Sequence, residues 1–339
     1  MGLLSSYIKI IESGKDLNKE QGYSCLCKIF SGECSDSEII NLLSLFADKG
    51  ESVSEIVGFA TAMREHMIKV PLTSSSIDLC GTGGIGKDRF NVSTAASFVL
   101  AAAGVPVAKH GNYGSKKPNG SFNFLEALCM DFNQEVSVVQ KLHQETNLCF
   151  LFARNYHPAM RYVAAARKKI ARRTIFNILG PLCNPASVKH QIIGVTNVET
   201  AKKIAAVIQE LGVEKALIIA GGDGLDELAT TSPSSIFEVT RFSIKETIFD
   251  PKNLNLRPVS SGFEGADSET NAKIFNEIIS LEKKHKNIAD LICLNSAAAM
   301  YCFGKVSNIE AGFEVSQALI KFGAVKKAVD LYKDRCKSI

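Results

Sequence analysis

The sequence predicts an α/β protein with a small N-terminal helical domain and a larger α/β domain that has a mainly parallel central sheet. The first seventy or so residues have helical periodicity without strand signals. From Ile77 onward, short apolar strands alternate with helical runs. Pro71 and the Ser/Thr-rich linker after it suggest a boundary between a helical domain at 1–72 and an α/β domain at 73–339, with a segment near 165–190 joining the helical domain.

Apolar spacing places the individual elements. In the helical domain, apolar residues three or four positions apart predict helices near 3–11, 36–47 and 52–66. Strands are predicted at 77–80, 105–108, 148–152, 192–195, 216–220 and 236–239. Helices are predicted between them, notably at 95–103 and 198–211, and as closing elements at 295–301 and 308–322.

Composition excludes several classes of protein. With 46% hydrophobic and 22% charged residues, the chain is ordinary for a globular protein, and a net charge of +4 is too small to indicate a nucleic-acid partner. The longest apolar run, 95–108, is too short to cross a bilayer, so no membrane partner is expected. Ten scattered cysteines suggest buried thiols in the cytoplasm, and Cys25, Cys27 and Cys34 lack the spacing of a zinc site.

The most informative segment lies at 78–94, where a strand, a glycine-rich turn and a helix start follow one another. Four glycines occur within six residues, at Gly81, Gly83, Gly84 and Gly86. Glycine allows backbone N–H groups to approach a ligand closely, and a helix N-terminus favours an anion. The segment therefore predicts a phosphate or diphosphate site, although a tight strand–helix turn is the simpler alternative.

Two common nucleotide motifs do not fit this loop. It matches G-x-G-x-x-G, but residues 101–108 contain no carboxylate to bind a ribose. Lys87 is followed by Asp88, whereas a Walker loop has Ser or Thr there. A nicotinamide dehydrogenase and a Walker-type ATPase are both disfavoured.

Two further groups of polar residues lie at positions that suit an enzyme active site. Lys109 to Asn112 follow a predicted strand and suit an anionic substrate, with 113–121 as a mobile loop above them, unless they form a solvated turn. Asp226 and Glu227 are hard oxygen ligands of the kind that magnesium takes together with substrate phosphates.

The basic run at 167–173 and His157 each leave two interpretations open. The run could bind nucleic acid, but a solvated helix face is the usual explanation, and one arginine within it could still hold a carboxylate. His157 precedes Pro158 at a helix start, so it could cap that helix or face a pocket.

Taken together, these motifs resemble the anthranilate phosphoribosyltransferase family over nearly the whole chain. In chain order they are Gly81–Gly84, Phe90–Thr94, Lys109–Asn112, His157–Met160, Arg173–Leu182, Asn184–Ala186 and Gly224–Glu227. The resemblance implies transfer of the phosphoribosyl group of phosphoribosyl diphosphate (PRPP) to the amine of anthranilate, in tryptophan biosynthesis, by a magnesium-dependent homodimer. It implies catalysis through the metal and the glycine loop, with no certain catalytic side chain.

The resemblance also implies roles for individual residues. Those expected to bind PRPP are Gly81, Thr82, Gly83, Gly84, Ile85, Arg89, Asn91, Val92, Ser93, Thr94, Lys109, Lys117 and Ser121. Those expected to bind anthranilate are Gly81, Asn112, His157 and Arg167. Those expected to bind magnesium are Ser93, Asp226 and Glu227.

Several positions depart from the family pattern, mostly around the expected diphosphate. Ile85 stands where the family has an acid, Tyr113 where it has arginine, and Ala171 where it has glycine. The remaining departures are Lys116, Lys117, Phe122 and Asn123.

Two alternatives follow from these departures and from the glycine loop. One is a paralogue that has kept the fold but lost or altered its PRPP chemistry, binding nucleic acid or another partner. The other is a pyrimidine nucleoside phosphorylase, whose phosphate loop is similar to residues 82–86. The Asp226–Glu227 pair has no role in phosphorolysis and disfavours that second alternative.

Overall fold

The computed structural model describes residues 2–83, 89–114, 117–256 and 265–338. The helices are α1 (Ser5–Glu12), α2 (Lys19–Phe30), α3 (Asp36–Lys49), α4 (Val53–Glu65), α5 (Val92–Ala102), α6 (Ser121–Ala127), α7 (Val136–Thr146), α8 (Ala153–Tyr156), α9 (Arg161–Ile170), α10 (Phe176–Leu179), α11 (Val198–Glu210), α12 (Ser268–Ile279), α13 (Lys286–Phe303), α14 (Ile309–Lys321) and α15 (Ala324–Ser338). The strands are β1 (Ile77–Gly81), β2 (Val107–Gly111), β3 (Leu148–Phe152), β4 (His190–Val195), β5 (Lys215–Ala220), β6 (Ser234–Thr240) and β7 (Ile244–Phe249).

The strands form one sheet in the order β3-β2-β1-β4-β5-β6-β7. Neighbours from β3 to β5 in that order pair in parallel, whereas β5–β6 and β6–β7 are antiparallel. The predicted fold class, a helical domain followed by an α/β domain with a mainly parallel sheet, is confirmed.

The predicted strands overlap six of the seven strands in the sheet. β3 has the predicted bounds, whereas β2 extends further toward the C-terminus and so contains Lys109 within the strand. β7 was not predicted, and all of its residues except Phe249 are exposed. A strand with little burial has a weak apolar signal, and pairing with β6 is what holds it in the sheet.

Helix α2 was also not predicted, although its start carries a local signal. Asn18 accepts a hydrogen bond from the Gln21 amide, and the Gln21 side chain accepts one from the Asn18 amide, which forms a capping box. Gly22 lowers the helical propensity, but it lies against Gly58 of α4, where a Cβ would collide with the α2 backbone. Close packing of two helices therefore overrides the local preference.

Two large hydrophobic clusters cover the two faces of the sheet. One includes Leu79 and Phe98 and packs α5 and α13 against the sheet. The other includes Ile193 of β4, Phe59 of α4 and Phe176 of α10, so the N-terminal helices share a core with the sheet and with the segment around α9 and α10. Helix α9 packs against α2 and α3.

The ends of the parallel strands bring distant loops to one edge. Gly81 at the end of β1 pairs with Gly194 of β4, and β4 pairs with β5, which ends at Ala220. The loop after β5 carries Asp226, whose backbone lies so close to Gly194 that a Cβ there would collide with it. This edge therefore places the acid pair beside the glycine loop.

All ten cysteines are free thiols, and Cys25 and Cys27 lie on α2 with Cys34 in the loop that follows. No helix in the described ranges is long and apolar enough to span a bilayer.

Candidate functional site

The glycine loop after β1 holds the Asp226 carboxylate. Gly83 adopts a φ of 61°, and its amide donates a hydrogen bond to Asp226 Oδ2 at 3.0 Å. A Cβ at Gly81 would collide with the same oxygen, so only glycine fits beside the carboxylate. The close packing of Asp226, on the loop after β5, is therefore a structural reason for glycine at position 81, and the positive φ is one at position 83.

A small pocket of about 30 Å³ lies where this loop meets the acid pair. Gly81, Arg89, Ser93, Asp226 and Glu227 are among the residues that line it. Arg89 forms an ion pair with the buried Asp226. Burial raises the pKa of Glu227 to about 7, with Asp223 adding to the shift and Arg89 opposing it.

Lys109 of β2 contacts the strand before the glycine loop and the helix after it. Its ammonium donates hydrogen bonds to the Leu79 carbonyl and to Ser93 Oγ, the second at 3.2 Å. Burial lowers the pKa of Lys109, while the nearby Asp78 opposes that shift. Lys109 therefore fixes the hydroxyl of Ser93 and supplies a positive charge beneath the pocket.

Asp78 was not among the predicted site residues, but it forms hydrogen bonds beside Lys109. Its carboxylate accepts hydrogen bonds from the His110 amide at 3.1 Å and from Asn184 Nδ2 at 2.8 Å. Burial raises the pKa of Asp78 to about 6, despite the opposing charge of Lys109. Asn184 comes from a distant segment, so no local pattern in the sequence could reveal this network.

Two buried histidines, one within β2 and one after α8, contact each other. His110 Nε2 and His157 Nε2 are 3.3 Å apart, and His110 Nδ1 is 3.2 Å from the Gly180 carbonyl. Burial lowers the pKa of His110 to about 3 and that of His157 to about 4. The pair is therefore uncharged at neutral pH, with one ring donating to the other.

Three asparagines fix the backbone that precedes α5. Asn119 and Asn271 each donate to the Arg89 carbonyl, at 2.9 and 3.0 Å, and Asn271 also donates to Asn91 Oδ1 at 3.0 Å. Asn119 and Asn271 were not among the predicted site residues. Asn119 lies in the polar loop that was singled out, whereas Asn271 lies in α12 and carries no local signal.

The structure brings together part of the predicted set. Gly81, Arg89, Ser93, Asp226 and Glu227 line one pocket, and Lys109 contacts Ser93. The other PRPP candidates in the described ranges lie nearby in sequence or on the following loop: Thr82 and Gly83 after β1, Asn91, Val92 and Thr94 at the start of α5, Lys117 in the loop before α6, and Ser121 at its first residue.

Two of these residues carry buried hydroxyls that no neighbour satisfies. Within the ranges the structure describes, Thr82 Oγ1 and Thr94 Oγ1 have no hydrogen-bond partner. A bound oxygen-rich ligand would supply such partners. Gly84 and Ile85, two further candidates, and the departure at Lys116 lie outside the described residues.

The anthranilate candidates are more dispersed. Asn112, His157 and Arg167 do not line the pocket that contains Gly81. Asn112 Oδ1 accepts a hydrogen bond from the Tyr113 amide, and the Arg167 guanidinium lies 5.4 Å from the Phe176 ring centroid. Burial lowers the pKa of Arg167.

The basic run that contains Arg167 is partly neutralised by helix α3. Lys169 pairs with Asp36 at 2.8 Å, and Arg172 pairs with Asp48 at 2.7 Å. Arg173 lies near the glycine loop instead, donating to the Gly83 carbonyl at 3.4 Å. These contacts favour a face used in packing over a nucleic-acid patch.

The donor set suits magnesium only with help from a ligand. Among the described residues, no group of three or more His, Cys, Asp or Glu side chains is placed to hold a metal. Asp226, Glu227 and the Ser93 hydroxyl nevertheless line one pocket and are all oxygen donors. Magnesium commonly binds one or two carboxylates together with substrate phosphates and water, so the set fits that ion.

Known protein families and curated proteins match this chain over nearly its full length. Residues 73–326 match the model of the glycosyl transferase family α/β domain, and residues 5–67 match the helical bundle domain of the same family. The chain is 41% identical to the anthranilate phosphoribosyltransferase of Thermoanaerobacter sp. (strain X514), covering 95% of each chain. It is 38% identical to that of Methanobrevibacter smithii, covering 97% of this chain and 98% of the relative.

Solved structures are similar as well. The crystal structure of anthranilate phosphoribosyltransferase from Thermus thermophilus has a TM-score of 0.91 at 32% identity, covering 97% of this chain and 99% of that one. The enzyme from Saccharomyces cerevisiae in complex with PRPP and Mg has a TM-score of 0.90 at 26% identity, covering 99% and 98%.

Proposed function

The chain belongs to the anthranilate phosphoribosyltransferase family, and we propose that it transfers the phosphoribosyl group of PRPP to anthranilate in tryptophan biosynthesis. The anthranilate nitrogen forms a bond to ribose C1 and loses a proton, while the bond from C1 to diphosphate breaks and the diphosphate keeps the electron pair. The observation that carries the proposal is the single pocket in which the glycine loop, Arg89 and Ser93 face Asp226 and Glu227.

In this proposal the glycine-loop side binds the diphosphate. Backbone amides of the loop and the first turn of α5 would donate to phosphate oxygens, and Arg89 and Lys109 would offset the negative charge. The free hydroxyls of Thr82 and Thr94 would serve as further donors. The departing diphosphate gains charge, so donors fixed beforehand would stabilise the transition state more than the substrate.

Asp226, Glu227 and Ser93 would hold Mg²⁺ together with the diphosphate. When bound, the ion would supply positive charge at the leaving group. The yeast relative was crystallised with PRPP and Mg, which supports this assignment. The Gly83 amide holds the Asp226 carboxylate in place through Oδ2, so the carboxylate group itself would need to move little.

We place anthranilate toward Asn112, His157 and Arg167. A guanidinium can hold a carboxylate by two parallel hydrogen bonds, and Arg167 has no carboxylate in ion-pair range among the residues described. The uncharged histidine pair would place no charge beside the aromatic ring of anthranilate. A complex of the yeast relative with 4-fluoroanthranilate supports binding of this class of ligand.

The quaternary structure and compartment remain part of the proposal. We propose a homodimer in the cytoplasm, on the resemblance to the family and on the free thiols of all ten cysteines. Sedimentation equilibrium would measure the mass directly, and a monomer at micromolar concentration would contradict the dimer.

The test is loss of anthranilate fluorescence with the purified full chain. We expect consumption that requires both PRPP and Mg²⁺ and that stops when EDTA is added. No turnover at millimolar PRPP with any divalent metal would contradict the function. Salt-dependent DNA binding or phosphorolysis of a pyrimidine nucleoside, measured in parallel, would then favour one of the two alternatives.

A further inference from the structure

Both carboxylate oxygens of Asp226 are already engaged. Oδ1 is in the ion pair with Arg89, and Oδ2 accepts a hydrogen bond from the Gly83 amide. The Asp226 side chain has no exposed surface, whereas that of Arg89 is 28% exposed. A metal ion that takes Oδ1 of Asp226 must therefore displace Arg89 or share the carboxylate with a second cation at contact distance.

Of the two partners, Arg89 is the one that can leave. The Gly83 donor is a backbone amide in a turn that also lies against Asp226, so it cannot withdraw without moving the loop. The Arg89 backbone is fixed by Asn119 and Asn271, and Gly265 packs directly against it. Its long side chain can still change rotamer toward the open pocket while that backbone stays in place.

We propose that Arg89 is a resident counter-ion that competes with the divalent metal for Asp226 and that loading of the metal displaces the guanidinium. This inference rests on the proposed function, because it takes Asp226 as a metal ligand. Two cations cannot share one carboxylate oxygen at contact distance without strong repulsion. In the free protein, Arg89 neutralises a buried charge that would otherwise be costly.

The displaced guanidinium would lie close to the proposed diphosphate. Arg89 lines the same pocket as Ser93, so after it leaves Asp226 it lies where the proposed diphosphate would sit. A guanidinium forms strong bidentate contacts with phosphate oxygens. The metal would therefore bind weakly to the free protein and more tightly once an anion holds Arg89 in its new position, which couples the two binding events.

The experiment measures Mn²⁺ binding to the full chain without PRPP, by electron paramagnetic resonance of free Mn²⁺. We expect Arg89→Gln to lower the Kd for Mn²⁺ about tenfold, because the competing charge-assisted contact is gone. Arg89→Lys should stay within about threefold of the parent protein, since it keeps the competing charge. Asp226→Asn in the Arg89→Gln background should reverse the gain, which assigns the bound ion to this carboxylate.

Arg173→Gln is the matched control for net charge. Arg173 also lies beside the glycine loop, but it contacts the Gly83 carbonyl and not the Asp226 carboxylate. Its loss should change the Kd for Mn²⁺ less than about twofold. An equal gain in both glutamine variants would mean a general charge effect and would overturn the exchange, as would an unchanged or weaker affinity in Arg89→Gln.

Folding and function are checked separately. Circular dichroism establishes that each variant is folded, and Arg89→Met, which keeps the aliphatic stem, repeats the test if Arg89→Gln does not fold. Failure of anthranilate turnover with a preserved effect of Arg89 on Mn²⁺ binding would contradict only the proposed function. Normal turnover, together with a Kd for Mn²⁺ that does not change in the Arg89 variants, would contradict only the proposed exchange of Arg89 for the metal.

Discussion

The two ends of the candidate site differ in how their buried ionisable side chains are paired. At the glycine-loop end, Arg89 and Asp226 form an ion pair. At the β2 end, the rings of His110 and His157 contact each other, and neither ring has a carboxylate in hydrogen-bond contact among the described residues. Burial lowers both pKa values far below neutral pH. An opposite charge within reach favours the charged form of a buried group, whereas burial alone favours the uncharged form.

This difference suits two kinds of ligand. The glycine-loop end can exchange its internal ion pair for a metal and an anion, because both partners are charged. The histidine end holds two buried, uncharged rings with centroids 5.1 Å apart, so an aromatic ligand near it would meet no charge from this pair. The predictions below test each end, beginning with the largest expected effect.

Removal of both acids should abolish activity at the charged end. We expect Asp226→Asn with Glu227→Gln to reduce magnesium-dependent turnover by roughly a thousandfold or more, because amides hold the metal poorly and the leaving charge is no longer offset. Anthranilate fluorescence measures the rate, and circular dichroism measures the fold.

Asp223→Asn is the control for that double variant. Asp223 lies on the same loop but outside the pocket, and its Oδ1 accepts a hydrogen bond from the Leu225 amide at 3.0 Å, which asparagine can retain. Its turnover should stay within about threefold of the parent protein. Near-normal activity in the double variant would mean that Asp226 and Glu227 form only a surface turn.

Arg167→Ala should change the KM for one substrate only. Loss of a bidentate contact with the anthranilate carboxylate would raise the KM for anthranilate by about 30-fold, corresponding to about 2 kcal/mol, with little change in the KM for PRPP. Lys168→Ala, the exposed neighbour in the same run, is the control and should change neither. Equal effects on both substrates would place Arg167 in a structural role against Phe176.

The histidine end should make the protein less stable in acid. His157 takes up its proton near pH 6.5 when unfolded but only near pH 4 when folded, so the unfolded chain binds more protons between those values. The free energy of unfolding from this group therefore falls as the pH falls from 6.5 to 4, by about 2 to 3 kcal/mol at about pH 4.5. Asp78, with its pKa raised to about 6, has the opposite sign over this range.

Comparison with His157→Gln isolates the histidine contribution. Urea unfolding at pH 7 and at pH 4.5 should show a smaller loss of stability in the variant than in the parent protein, while Asp78 contributes equally to both. The same pH dependence in the two proteins would mean that His157 is not kept uncharged by burial.

The smallest effect is expected at Ile85. An acid there could orient the metal or a ribose hydroxyl, which isoleucine cannot do, so Ile85→Asp should raise kcat/KM for PRPP about threefold. Ile85→Asn is the uncharged control and should not reproduce the gain. A lower melting temperature with no gain in activity would indicate an apolar environment around residue 85 that does not accept a carboxylate.

The sequence by itself determined six of the seven strands and the residue types proposed for the site. β3 has the predicted bounds because five apolar residues in a row are buried on both faces of the sheet. The glycine loop, Ser93 and the acid pair could be identified because a turn, a helix start and a loop are local patterns.

Only the tertiary structure decided which of those residues act on each other. It placed Asp226 against Gly81 and Arg89, joined Asn271 of α12 to the backbone before α5, and brought His110 into contact with His157. The physical reason is that periodicity and turn chemistry depend on neighbours in the chain. Ion pairing, proton affinity and glycine contacts depend instead on which distant groups share one buried volume, and local patterns in a single sequence do not reveal that.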